Sequence, residues 1–323
     1  MIAAAFPAAE TGAVVDDLLK RTLGFSTADL RALDAGAAAI KSLETLVHEE
    51  LAHVGVVYVD APNERVLSRF RDIERFERGP RIPQIGRFGS SPRLADLEGL
   101  TLPAADVAAL QTCRPGACDV KLSETAMRRF RNEVDWSSSD AARQANELVR
   151  TMILELVLAY QANGNAALGR YDDGREPLPV AEQFRALLAA GDPLPAPVPA
   201  LLAYLDTYPR GRPAGVEDFF YWSVVDFGLK QTIRVNHATI YPLAANSPGV
   251  AYVIAIKQLY ASHYFHTTLE LRFLVDDDRH AGRRGTSLIS IMRSRSDGMT
   301  GFKGVLLRPI ISRRSRRACR TNL

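Results

Sequence analysis

The side chains best suited to chemistry lie late in the chain: His237, Tyr241, Lys257, Tyr260, His263 and Tyr264. Most belong to, or sit near, the run KQLYASHYFH that ends at His266. Imidazole, phenol and amine groups of this kind can orient a polar ligand at a cavity mouth or move a proton. The same residue types also serve as ordinary hydrogen-bonded parts of a core. Joint metal binding is disfavoured, because His263 and His266 are three apart and on one straight strand would face opposite sides. A tight turn between them would relax that objection, and His237 on the preceding strand could approach either.

The chain contains no G-x-S-x-G, no H-E-x-x-H, no phosphate-loop pattern and no G-x-G-x-x-G. No residue is therefore assigned as catalytic, and no cofactor or metal is expected. Asp172 and Asp173 lack the alternating oxygen ligands of a calcium loop and read as a solvated turn. Cys113 and Cys118 bracket the turn sequence Arg-Pro-Gly-Ala, which suits either a small disulfide loop or two free thiols. A zinc site would need two more ligands nearby. Cys319 has no evident partner.

These residues need a folded scaffold, and the composition provides one. Of 323 residues, 47% are hydrophobic and 24% charged, which excludes a disordered chain. A net charge of +3 is too small to point to nucleic acid. Beyond Asp297 there is no acidic residue, while Lys303, Arg308, Arg313, Arg314, Arg316, Arg317 and Arg320 are basic. That end reads as a solvated tail or helix face, with peripheral contact to an anionic membrane as the alternative. No apolar run is long enough for a spanning helix. The Ala-rich opening, MIAAAFPAAETGA, resembles the small-residue end of an export signal cut short, or else a frayed terminus. Localisation is left open on that ground, leaning periplasmic or exported.

Periodicity places the elements. Val14 to Leu23 reads as a short helix, and Ser26 with Asp29 forms a capping box for the next, which stops at Gly36. His53 to Asp60 reads as a strand. Pro62 opens a helix carrying Val66, Leu67, Phe70 and Ile73, ended by Gly79-Pro80. Ile82 to Phe88 and Asp119 to Leu122 are strand candidates. From Ser123 helices dominate: one with Met127 and Phe130, a longer one with Leu148, Met152, Leu156 and Tyr160 closed by Gly164, and two more around Phe184 and Leu201. The aromatic run from Val216 to Phe227 is expected to be a helix that packs the insertion onto the sheet. Strands then return at Lys230 to Tyr241, across Val250 to Val275 with a turn near Ser262, and at Thr286 to Arg293. Phe265, Thr267, Leu269, Leu271 and Phe273 alternate with His266, Thr268, Glu270 and Arg272, which predicts a strand with one buried face. Phe302, Val305, Leu306 and Ile310 predict a terminal helix.

With Ser123 to Gly228 set aside, the order is strand, helix, two strands, an antiparallel run and a last helix. The segment GVVYVDAPNERVLSRFRDIERF resembles the first strand and helix of the START-like or helix-grip superfamily, which includes polyketide cyclases and lipid carriers. The ending RSRSDGMTGFKGVLLRPIISRRSRR is similar to its last strand and gripping helix. The resemblance implies an α+β fold in which a curved antiparallel sheet grips a C-terminal helix around an apolar cavity. The expected organisation is an N-terminal helical segment (1–52), the first part of the helix-grip domain (53–122), a helical insertion (123–228), and the second part with the C-terminal helix (229–323). The expected function is binding or carriage of an apolar small molecule such as a lipid. Its ligand-binding candidates are His237, Tyr241, Lys257, Tyr260, His263 and Tyr264. Two alternatives are a cyclase- or hydrolase-like enzyme using His263 or Tyr260, and a protein that docks a partner through the helices.

Overall fold

A computed structural model describes residues 15–45, 47, 49–189, 198–228, 230–243, 250–279 and 285–296. Its frame is one antiparallel sheet. The strands in chain order are β1 (Ala39–Leu43), β2 (Glu50–Val59), β3 (Gln84–Arg87), the short pair β4 (Arg170–Tyr171) and β5 (Leu178–Pro179), β6 (Glu217–Asp226), β7 (Gln231–Pro242), β8 (Val250–Ala261), β9 (Phe265–Asp277) and β10 (Gly285–Ser296). Leaving out the separate β4–β5 pair, the order across the sheet is β1-β2-β10-β9-β8-β7-β6-β3. The long apolar run does split in two, and Tyr264 with φ +63° makes the turn between β8 and β9. The short αL excursion lets two long strands fold back on each other with little loop.

The helices are α1 (Thr27–Asp34), α2 (Asn63–Arg71), α3 (Ile73–Glu77), α4 (Ala104–Leu110), α5 (Glu124–Glu133), α6 (Ala141–Asn163), α7 (Val180–Ala189) and α8 (Pro199–Thr207). Ser26 and Asp29 make both arms of the capping box at α1. The Ser123 hydroxyl accepts from the Ala126 N–H at the start of α5, 3.2 Å away. Cys113 and Cys118 are joined as a disulfide.

Both faces of the sheet are covered. On one face, α1, α7 and α8 pack over Val54, Val253, Leu271, Phe273 and Ile289. Beside them, α5 and α6 pack over Phe220, Trp222, Ile233, Val235 and Leu259. On the other face, Val66, Leu67 and Phe70 of α2 and Ile73 of α3 meet Phe219, Tyr221, Ala238, Ile254 and Ile256. Each large apolar side chain buried this way contributes about 1.5–3 kcal/mol.

Two expectations are corrected. The aromatic run read as a helix is strand β6: Phe219 and Tyr221 point to one core, and Phe220, Trp222 and Val224 to the other. A segment apolar on both sides is what a strand covered on both faces requires. Asp119 to Leu122 forms no strand; the Lys121 N–H instead donates to the Ser262 carbonyl at 2.8 Å. The expected terminal helix, its basic residues and Cys319 lie outside the described residues.

Candidate functional site

The sequence-picked residues do not form one site. His237 and Lys257 are register partners on β7 and β8, on the face covered by α6 to α8, and both are 0% exposed. His237 Nε2 lies 2.8 Å from Asp218 Oδ1, and its Nδ1 lies 3.3 Å from the Tyr160 hydroxyl. Thr239 and Tyr204 also donate to Asp218, at 2.9 and 2.8 Å. Burial lowers the imidazole's pKa despite the carboxylate beside it, so His237 is neutral and donates through Nε2–H. Burial pushes the Asp218 carboxyl up, but the bonds from His237, Tyr204 and Thr239 outweigh it and hold it below the usual range. Lys257 donates to Asn165 Oδ1 and to the Leu205 carbonyl, and its Nζ lies 3.9 Å from the Phe184 ring centre. Burial drives its pKa well down. These groups use their polar atoms on one another, which suits a bond between helices and sheet.

The remaining picks lie elsewhere. His263 Nε2 sits 2.9 and 3.0 Å from the two Asp106 oxygens, with both side chains buried. The Tyr264 hydroxyl accepts from the Lys230 N–H at 2.7 Å. Tyr241 packs at the margin of the α7–α8 core. Tyr260 lines an open groove of about 350 Å³ with Leu122, Ala126, Met152, Leu156 and Tyr171. Among the described residues no group of three or more His, Cys, Asp or Glu could hold a metal ion.

The opposite face carries the more telling chemistry. Pairing places Tyr221 opposite Asn236 and Asn236 opposite Gln258, and the Thr268 hydroxyl donates to Gln258 Oε1 at 3.3 Å. This polar row crosses four strands and is buried throughout. Two residues further along β9 and beyond, Arg272 binds Glu270 at 2.7 Å and Glu77 of α3 at 3.1 Å, and Ser290 donates to Glu270 at 2.6 Å. Burial pushes the Glu77 carboxyl up, and Arg272 only partly offsets this. For Glu270, burial is outweighed by Arg272 and Ser290, so its carboxyl is held below the ordinary range. The Arg272 guanidinium resists burial because two carboxylates surround it.

Several buried polar atoms on this face have no partner. Asn236 is 0% exposed, and neither its Oδ1 nor its Nδ2 is hydrogen-bonded. Gln258 Oε1 accepts from Arg234 Nε at 3.2 Å and from Thr268, while its Nε2 is unpartnered. Arg272 Nη1 is unpartnered as well. Arg234, half-buried, makes no ion pair with any described residue. An unsatisfied buried amide costs about 1–3 kcal/mol, so such a group invites an explanation.

Sequence reasoning missed this row because it read His266, Thr268, Glu270 and Arg272 as the solvent side of β9. The available signal was that polar residues also recur at Arg234, Asn236 and Gln258 on the neighbouring strands, facing the same way. No family model matches the chain, and neither a curated protein nor a solved structure matches it.

Proposed function

We propose that the protein binds an amphipathic small molecule on the α2–α3 side of its sheet, with the polar end seated on the Tyr221, Asn236, Gln258 and Thr268 row. The observation that carries this is Asn236, a fully buried carboxamide with neither atom partnered. A position serving the fold alone would do better with leucine, which has a similar shape and nothing to desolvate. The helix-grip resemblance implies a cavity between the sheet and the C-terminal helix, which lies outside the described residues, so it does not bear on the α2–α3 side. On the other face, His237 is taken up by Asp218 and Tyr160, away from the proposed polar row.

Native mass spectrometry of the freshly purified chain, followed by denaturing extraction, tests the proposal. A co-purifying amphiphile is the expected result. A ligand-free protein whose Tm no amphiphile raises would sink the idea. A second reading, partner docking through the helices, draws on the open groove with Met152 and Leu156 in its wall. In that case Leu156→Glu should abolish an interaction while leaving the Tm nearly unchanged.

A further inference from the structure

We propose that the polar end of the bound molecule is a carboxylate held by Arg234, Asn236 and Gln258; this rests on the binding function proposed above. The three are neighbours by register. Arg234 and Asn236 are two apart on β7, and Asn236 is opposite Gln258 on β8. Side chains so placed share a face, about 7 Å apart along a strand and about 5 Å across it.

The unpartnered groups are mainly donors. Gln258 cannot turn its amide over, because Oε1 takes bonds from Arg234 Nε and Thr268; a flip would set N–H against N–H. Its Nε2 is therefore a fixed free donor, and Asn236, opposite it in register, has both Oδ1 and Nδ2 unpartnered. Arg234 brings a planar fork and makes no ion pair with a described residue; Glu270 and Glu77, whose carboxyls its charge also lowers, are bound by Arg272. A guanidinium flanked by amide donors matches a planar group with two acceptor oxygens.

Charge selects a single negative group. Arg272 and Glu270 offset each other. Burial pushes the Glu77 carboxyl up. Arg234 makes no ion pair with a described residue, and its guanidinium is the cation that a carboxylate would meet. A dianionic phosphate would set a second negative charge near Glu270, and an alcohol would leave the guanidinium unmatched.

The test is calorimetric titration of the delipidated full chain at neutral pH with octanoate, octanol, octanamide and octyl phosphate. Octanoate is expected to bind at least about tenfold more tightly than the other three. Arg234→Met should remove that preference by weakening octanoate binding more than octanol binding. Asn236→Leu should weaken octanoate binding and raise the Tm of the empty protein. Equal binding of octanoate and octanol, or a preference for octyl phosphate, would overturn the carboxylate assignment and leave ligand binding standing. Absence of binding by all four overturns it too, and a lowered Tm for Asn236→Leu would then sink ligand binding as well.

Discussion

Glu77 and Glu270 touch the same guanidinium, yet their acidities move in opposite directions. Glu77 is raised by burial, so the stability it contributes is present below its unfolded value of 4.5 and is lost as pH rises through its folded value. Glu270 is lowered, so its contribution is present above 4.5 and is lost as pH falls through its folded value. Glu77→Gln removes the first dependence only. Relative to the natural chain, the variant's Tm should improve as pH is raised from the unfolded Glu77 value of 4.5 toward the higher folded value. Thermal melts across that range check it, and a flat difference would mean that Glu77 is not held in its neutral form. On the other face, Asp218→Ala strips partners from His237, Tyr204 and Thr239 at once. It should cost about 3 kcal/mol or more in urea unfolding. The sequence revealed His237 and His263 as residue types, but their meaning depends on Asp218 and on Asp106, the latter 157 positions away. No local pattern links such pairs.

Elements were legible wherever a local rule decides them. The capping box at α1 and the Ser123 cap of α5 follow from nearest-neighbour chemistry, and the turn near Ser262 from a run too long for one strand. Strand β6 escaped because a strand covered on both faces loses its alternation, and a short continuous apolar run is then indistinguishable by period from a buried helix. Its aromatic and β-branched content was the better guide. Gly164, read as the end of α6, has a second role that no sequence pattern predicts. It has φ +60°, and a Cβ there would lie 1.7 Å from the Tyr208 carbonyl oxygen. Gly164→Ala should therefore force the end of α8 away from α6 and disturb Asn165, which holds Lys257. We expect a loss of about 3 kcal/mol or more. Gly36, at φ +79° with nothing within 4 Å, is the control. Gly36→Ala carries only the backbone strain, about 1 kcal/mol. Equal losses in the two melts would show that the close approach at Tyr208 does not matter.

At the scale of the whole molecule, the alternation on β9 gave the correct partition of side chains between two faces, but it could not tell whether the second face is covered. That depends on α2 and α3, about two hundred positions earlier, crossing the sheet to bring Glu77 to Arg272. The result is a core with charged groups in it, and burying charges is a poor way to stabilise a fold. Arg272→Met should cost about 3–5 kcal/mol, because it leaves Glu270 ionised and unpaired in the interior. The triple variant Glu77→Leu, Glu270→Leu and Arg272→Met removes every member of the ion network. If the network is there for a ligand and not for the fold, the triple variant should recover most of that loss in urea unfolding, with an unchanged slope. A triple variant less stable than Arg272→Met alone would mean that the charges hold the sheet and α3 together. The polar face would then need no bound molecule to account for its ion network, and the unpartnered groups of Asn236 and Gln258 would be what still calls for a ligand.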